Sequence, residues 1–110
     1  MIFSWDDENR EHIAKHAVTP EEAEEVVRRA RPPFPRAIGE GKHMVWGQTS
    51  RGRYLQAIIV FKAPEELDHD ALTAEQWAEI ESTGVRRVVR VIHAMDLTEG
   101  MKRSLRKRRR

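Results

Sequence analysis

Apolar positions along this chain recur at two different periods, and the change of period marks its elements. Ile2, Phe3 and Trp5 make a short apolar start that reads as one brief strand. Asp6 or Asp7 can then cap a helix to about Ala17, with Ile13 and Ala14 inward. Thr19-Pro20-Glu21-Glu22 is a helix start. The threonine accepts from an orphan amide, proline takes the first helical position, and Glu22 completes a capping box. The helix predicted there runs to about Ala30, with Ala23, Val26, Val27 and Ala30 on one face. Arg31-Pro32-Pro33-Phe34-Pro35 ends it and forces extended chain.

From His43 the period falls to two. His43 to Thr49 reads as a strand, Ser50-Arg51-Gly52 as a hairpin turn, and Arg53 to Lys62 as the strongest strand. Leu55, Ala57, Ile59 and Phe61 share one face of it, with Tyr54, Ile58 and Val60 on the other. Val85 to Ala94 is a second strong strand. Between the two, Thr73-Ala74-Glu75-Gln76 starts a short helix that Gly84 closes. Thr98 caps a last helix that runs into the C-terminal tail. The fold class is therefore α+β. It has two N-terminal helices, a three- to four-stranded antiparallel sheet, an acidic, partly helical hairpin insert at 64–84, and a basic C-terminal helix. With helices on one sheet face, the other face is left for a ligand. The 110 residues make a single domain.

Composition narrows the setting. With 39% apolar and 35% charged residues the chain is globular in type. It has no cysteine, so neither disulfide nor thiolate chemistry is open to it. Met1 to Arg10 lacks a signal-peptide apolar run, and no stretch approaches the ~18 apolar residues of a membrane span. A soluble cytoplasmic protein without membrane contact is expected.

Charge changes the picture more. Residues 1–30 carry eight acids and four bases, residues 31–63 one acid and six bases, and residues 64–84 seven acids and no base. Residues 85–110 carry ten bases and two acids, although the whole chain is only +2. Seven of those bases crowd the tail 101–110: Lys102, Arg103, Arg106, Lys107, Arg108, Arg109 and Arg110. Crowded like charge of this kind points to a polyanionic partner such as a phosphate backbone. The acidic insert either docks a partner or folds back as a cover over the basic face.

Several chemistries lack support. His12 and His16 are four apart on a helix and could face one ion, but no Cys or HExxH context adds a ligand, so no metal is expected. Gly39 and Gly41 form a GxG without strand-to-helix context, and no cofactor is expected. Ser4, Ser50, Ser82 and Ser104 lack a nucleophile elbow. What remains is Lys42, His43, Arg51, Arg53, Arg86, Arg87, Arg90 and His93 on and around the strands. Strict alternation puts Arg86, Val88, Arg90 and Ile92 on one face and Arg87, Val89, Val91 and His93 on the other. Arg90, amid valines, either pairs with an acid, such as Glu21, Glu22, Glu24 or Glu25, or lines a functional surface. For His93 a capping or packing role is the commoner fate. Such residues suffice for metal-independent RNA cleavage: arginines bind the scissile phosphate and a histidine, lysine or carboxylate moves protons as a 2′-hydroxyl attacks. Tyr54 and Trp46 could stack on bases, although core packing is commoner for both.

Phe3-Ser4-Trp5-Asp6, Asn9 and Lys15-His16-Ala17-Val18-Thr19-Pro20-Glu21-Glu22-Ala23 resemble the opening of the BrnT family, roughly F-x-W-D-x-x-K-N and K-H-G-V-S-F-E-E-A. Glu8 stands for the first lysine and Ala17 for the glycine. Trp46-Gly47-Gln48-Thr49 and Arg51-Gly52-Arg53-Tyr54-Leu55 resemble G-x-[ST]-x-x-G-R-x-L, and Arg90-Val91-Ile92-His93-Ala94 resembles R-x-I-[SH]-A. The likeness covers most of the chain outside 64–84. It implies a type II toxin: a RelE-like ribonuclease that blocks translation. A ribbon-helix-helix antitoxin would hold it inactive, in a complex that represses its own operator DNA. It also implies Arg53 and Arg90 as phosphate-binding catalytic residues, with His93 as acid or base. Lys42, Arg51, Arg86, Lys102, Arg103 and Arg106 would bind RNA. The toxin would act as a homodimer or within a toxin–antitoxin heterotetramer. Met95, Met101 and Leu105 stand where relatives often have arginine, glutamate and tyrosine. The alternative is a non-catalytic nucleic-acid-binding or antitoxin-binding module on the same fold.

Overall fold

The computed structural model describes residues 1–108. Arg109 and Arg110, the last two bases of the tail, lie outside the described residues. The element order is β1 (Ile2–Phe3), α1 (Asp7–Ala14), α2 (Pro20–Arg28), β2 (Arg36–Gly39), β3 (Lys42–Gln48), β4 (Tyr54–Lys62), α3 (Ala74–Thr83), β5 (Val88–Asp96) and α4 (Glu99–Arg108). One five-stranded mixed sheet runs β1-β5-β4-β3-β2.

Local signals decide the helices. Asp6 caps α1: its Oδ1 accepts from the Asn9 amide at 3.0 Å, and its own amide donates to Asn9 Oδ1 at 2.7 Å. Thr19 and Glu22 form the expected box on α2, with Pro20 inside it. Thr73 and Gln76 repeat the device on α3, which Gly84 closes at φ +70°. Thr98 accepts the Met101 amide at 3.2 Å and so starts α4. Helix α1 stops three residues short of the expected Ala17. There the chain turns tightly, and Ala17 adopts φ +55°, the left-handed region that disfavours a Cβ.

The sheet departs from expectation at its margins. It has five strands, not three or four, and is not wholly antiparallel, because β1 pairs with β5 in parallel through Ile2–Val88 and Phe3–Val89. Strand β2 gave no alternation to read, since all four of its residues are exposed on an edge. Gly39-Glu40-Gly41, the GxG, is the β2–β3 hairpin turn, with φ of +96°, +56° and +73°. Strand β5 spans Val88–Asp96, not 85–94. It also carries a bulge. Ile58 faces His93 and Ile59 faces Val91, so Ile92 is an extra residue in the ladder.

One sheet face is buried under α1 and α2. Val45, Leu55, Ala57, Ile59, Val89, Val91 and Ala94 pack there with Ile13, Val18, Ala23, Val26 and Val27. Helix and sheet approach so closely that a Cβ at Gly47 would come within 3.1 Å of Val26 Cγ1. The opposite face is not wholly open, as expected, but covered at both ends. At one end Leu105 of α4 is buried and Tyr54 lies under Lys102 and Arg106. At the other, the insert packs Leu72, Trp77 and Ile80 against Ile2 and Val88.

Candidate functional site

Between α4 and the insert lies a half-buried stretch of sheet. Three rows cross it from β3 to β5: Trp46–Gln56–Met95, Met44–Ile58–His93 and Lys42–Val60–Arg90. Residues opposite one another in a ladder share a face, so these side chains line one surface. Its middle carries apolar side chains and His93, and its rim is cationic, with Lys42 and Arg90 from the strands and Lys102 and Arg106 from α4. The bulge assembles the strand part. Strict alternation would send Arg90 and His93 to opposite faces; the extra Ile92 returns His93 to Arg90's side.

Arg90 pairs with Asp6, the cap of α1, and with none of the expected glutamates. Its Nη1 donates to Asp6 Oδ2 at 2.8 Å and its Nη2 to Oδ1 at 3.2 Å. That hydrogen bond holds the Asp6 carboxyl below its ordinary range, against a smaller opposing effect of burial. A guanidinium has five N–H donors. Two are engaged here, so among the described residues three remain for another acceptor.

Arg53, expected at a phosphate, is engaged within the fold. Its Nε donates to Asp96 Oδ1 at 2.8 Å, and its Nη1 donates to Ala17 O at 2.7 Å and to Glu22 at 3.1 Å. Its Nη2 donates to His16 O at 3.1 Å and Asp96 Oδ2 at 3.3 Å. All five donors are occupied. The side chain closes the α1–α2 turn onto β4.

His93 meets two imidazoles, His12 in the last turn of α1 and His16 in the turn that follows it. Its ring lies 5.2 Å from His16 and 6.4 Å from His12, centre to centre, both edge-to-face. Burial, followed by the neighbouring charges of His16 and His12, lowers its pKa from the ordinary histidine value. Among the described residues no set of three or more His, Asp or Glu side chains is arranged to hold a metal ion. The i, i+4 spacing of His12 and His16 was readable in the sequence, but their convergence on His93 was not, because it depends on the bulge.

The other expected contacts divide. Lys102 and Arg106 both lie over Tyr54, at 5.7 and 5.3 Å from its ring centre. Arg103, one residue off that stripe, stays exposed. Lys42 reaches the rim, loosely paired with Glu40 at 3.4 Å. Arg51 does not join the face. It lines a hollow of about 440 Å³ with Thr19, Glu21, Glu22 and Glu25, at the acidic start of α2. Arg86 does not join it either. With Arg87 it borders Phe61 and Val89 on the side that carries α1 and α2, where Arg87 sits 4.2 Å over the Phe61 ring. The cations thus fall on two surfaces, not one.

Met95 lies on the candidate face itself, whereas Met101 and Leu105 anchor α4 to the core. Trp46 packs against Phe34 at 5.7 Å and bonds Gln56, leaving its edge beside a hollow of about 260 Å³ that Arg31 and Arg108 also line. The insert is not an ion-paired cover. Among the described residues its one salt bridge to a strand is Lys62–Glu66, at 3.9 Å, and it docks through apolar contacts. No helix is long and apolar enough to cross a membrane, among the residues described. Comparison with protein-family models, with curated proteins and with solved structures found no match.

Proposed function

We propose that this chain is a BrnT-like ribonuclease toxin of RelE-like fold. It cuts RNA in the cytoplasm without a metal and is held in check by a ribbon-helix-helix antitoxin. The observation that carries this reading is the placement of Arg90 and His93 side by side on a half-open face rimmed by Lys42, Lys102 and Arg106. The unengaged N–H groups of Arg90 bind the scissile phosphate and stabilise charge gathering on its oxygens. His93, kept neutral by its surroundings, takes a proton from the attacking 2′-hydroxyl. Lys42, Lys102 and Arg106 hold the flanking backbone, and the apolar middle of the face receives the antitoxin. Arg53 serves the site from behind, by fixing the turn that carries His16.

The sequence resemblance has one physical support. The position occupied by glycine in the BrnT motif is Ala17 here, and it adopts φ +55°, a conformation that favours glycine. The test is incubation of the purified chain with total bacterial RNA, with and without EDTA, beside an Arg90→Ala variant. Cleavage that survives EDTA and is lost in the variant is expected. RNA left intact by the wild type, at concentrations that bind it, overturns the reading. A second reading, a binding module without catalysis, is favoured by Met95 on the face and by Asp6 already seated on Arg90. Steeply salt-dependent binding without products or growth arrest would select it.

A further inference from the structure

We infer that His12 is the general acid that completes the site, paired with His93 as general base, on a substrate with a free ribose 2′-hydroxyl beside the scissile phosphate. This inference rests on the ribonuclease reading above. Strand cleavage by a neighbouring hydroxyl needs two proton transfers, one at the attacking oxygen and one at the leaving oxygen. Those oxygens lie roughly in line on opposite sides of phosphorus. Each must come within ~2.6–3.2 Å of the nitrogen that serves it. The serving groups therefore need to be neighbours that still leave space for a phosphoryl group.

The three imidazoles differ in this respect. His16 and His93 are edge-to-face at 5.2 Å, the tighter of the two contacts and the one with less room for a phosphoryl group at the rings. His12 and His93 are 6.4 Å apart. His12 lies in the last turn of α1, one turn nearer than His16 to the Asp6 cap that holds Arg90, the cation that keeps free donors. His16 lies in the turn beyond α1, where it adds to the stabilisation that Arg53 and Lys102 give the Asp96 charge. Across the ladder from His93 stands Ile58, which is apolar. His93 is the half-buried member and disfavours a charge, as a base should. His12 is exposed and open to solvent.

In the step itself the ribose 2′-oxygen forms a bond to phosphorus while the bond from phosphorus to the 5′-oxygen breaks. His93 takes the 2′-hydroxyl proton and the protonated His12 gives its proton to the departing 5′-oxygen. The products are a 2′,3′-cyclic phosphate and a 5′-hydroxyl. Nothing is oxidised and no co-reactant is consumed. Arg90 meets the non-bridging oxygens, and His16 acts as a positioning residue against the His93 ring.

The experiment uses the full chain and one RNA oligonucleotide carrying a single cleavage site, made in two forms. One has the natural 5′-oxygen at that site; the other has sulfur there, which leaves as a thiolate without a proton. His12→Ala should slow cleavage of the oxygen form by about 10²–10³-fold. It should cut the sulfur form at close to the wild-type rate. His93→Ala should be slow on both. His12 is exposed, and an unchanged melting temperature for His12→Ala confirms that folding is intact. The inference is overturned if His12→Ala cuts the oxygen form normally, if sulfur fails to restore it, or if His16→Ala shows the restoration instead. Absence of cleavage by the wild type would be the separate failure of the ribonuclease reading.

Discussion

Arg53→Ala separates a structural clamp from a catalytic group. Removing the guanidinium strips partners from the Glu22 and Asp96 carboxylates and from the carbonyls of His16 and Ala17. The Asp96 pair is the weaker part, because its carboxylate is 63% exposed and water screens it. Exposed pairs of that kind contribute about 0–1 kcal/mol. The Glu22 pair is better shielded, at 26% and 29% exposure, and counts for about 1 kcal/mol. Two carbonyls lose charged donors, each worth about 0.5–1.5 kcal/mol once water replaces part of the loss. Ala17, held left-handed in part by its bond to Arg53, loses that restraint as well. The sum is about 2–5 kcal/mol. For a chain of this size that lowers Tm by on the order of 10–30 °C. Calorimetry or circular dichroism gives the melt, and cleavage is assayed well below it, where the variant is folded. Lower stability with cleavage largely kept is expected. A variant that melts like the wild type yet has lost cleavage would show that Arg53 works on the RNA, and the clamp argument would fail.

Further predictions follow from the same contacts. Ala17→Gly relieves a left-handed alanine worth about 1 kcal/mol, offset in part by glycine's greater freedom when unfolded, so Tm should rise by a few degrees; a fall would contradict the backbone argument. Stability should decline in two stages as pH drops. His93 takes up its proton less readily when folded than when unfolded, so its contribution is complete above pH ~6.5 and erodes below it. Asp6 and Asp96, each held down chiefly by an arginine hydrogen bond, contribute fully above pH ~4 and lose that contribution as pH falls through their lowered native values. Melts from pH 8 to 3 would check this, and His93→Gln should remove only the first stage. Trp77→Ala, which uncovers Ile2 and Val88 and breaks a 2.7 Å bond to His69 O, should cost about 2 kcal/mol while leaving RNA affinity unchanged. A large gain in RNA binding would instead reveal the insert as an electrostatic lid.

What could be read from the sequence was local. The boxes at Thr19 and Thr73, Pro20 inside α2, Gly84 after α3 and the alternation of β4 each depend on residues within one turn or one strand. The misses were non-local. Two residues of β1 carry too little pattern to announce a parallel partner 86 positions away. Strand β2 buries none of its side chains, so no period marked it. Half of Arg53's acceptors are backbone carbonyls, which have no signature in residue identity. Asp6 was recognised as a cap, and capping uses the same carboxylate that holds Arg90. The candidate face was legible as a set of residue types, but the count of residues in β5 decided which of them meet.

That count has a consequence for how such a face can vary. Arg90 and His93 are three positions apart, an odd interval that a regular strand would split between its two sides. Ile92 restores parity by standing outside the ladder. Loss of one residue there would swing a cation or an imidazole into the apolar layer under α1, where neither has a partner. Two chains of this fold could therefore share every functional residue and still differ in chemistry, through a single change of phase in one strand.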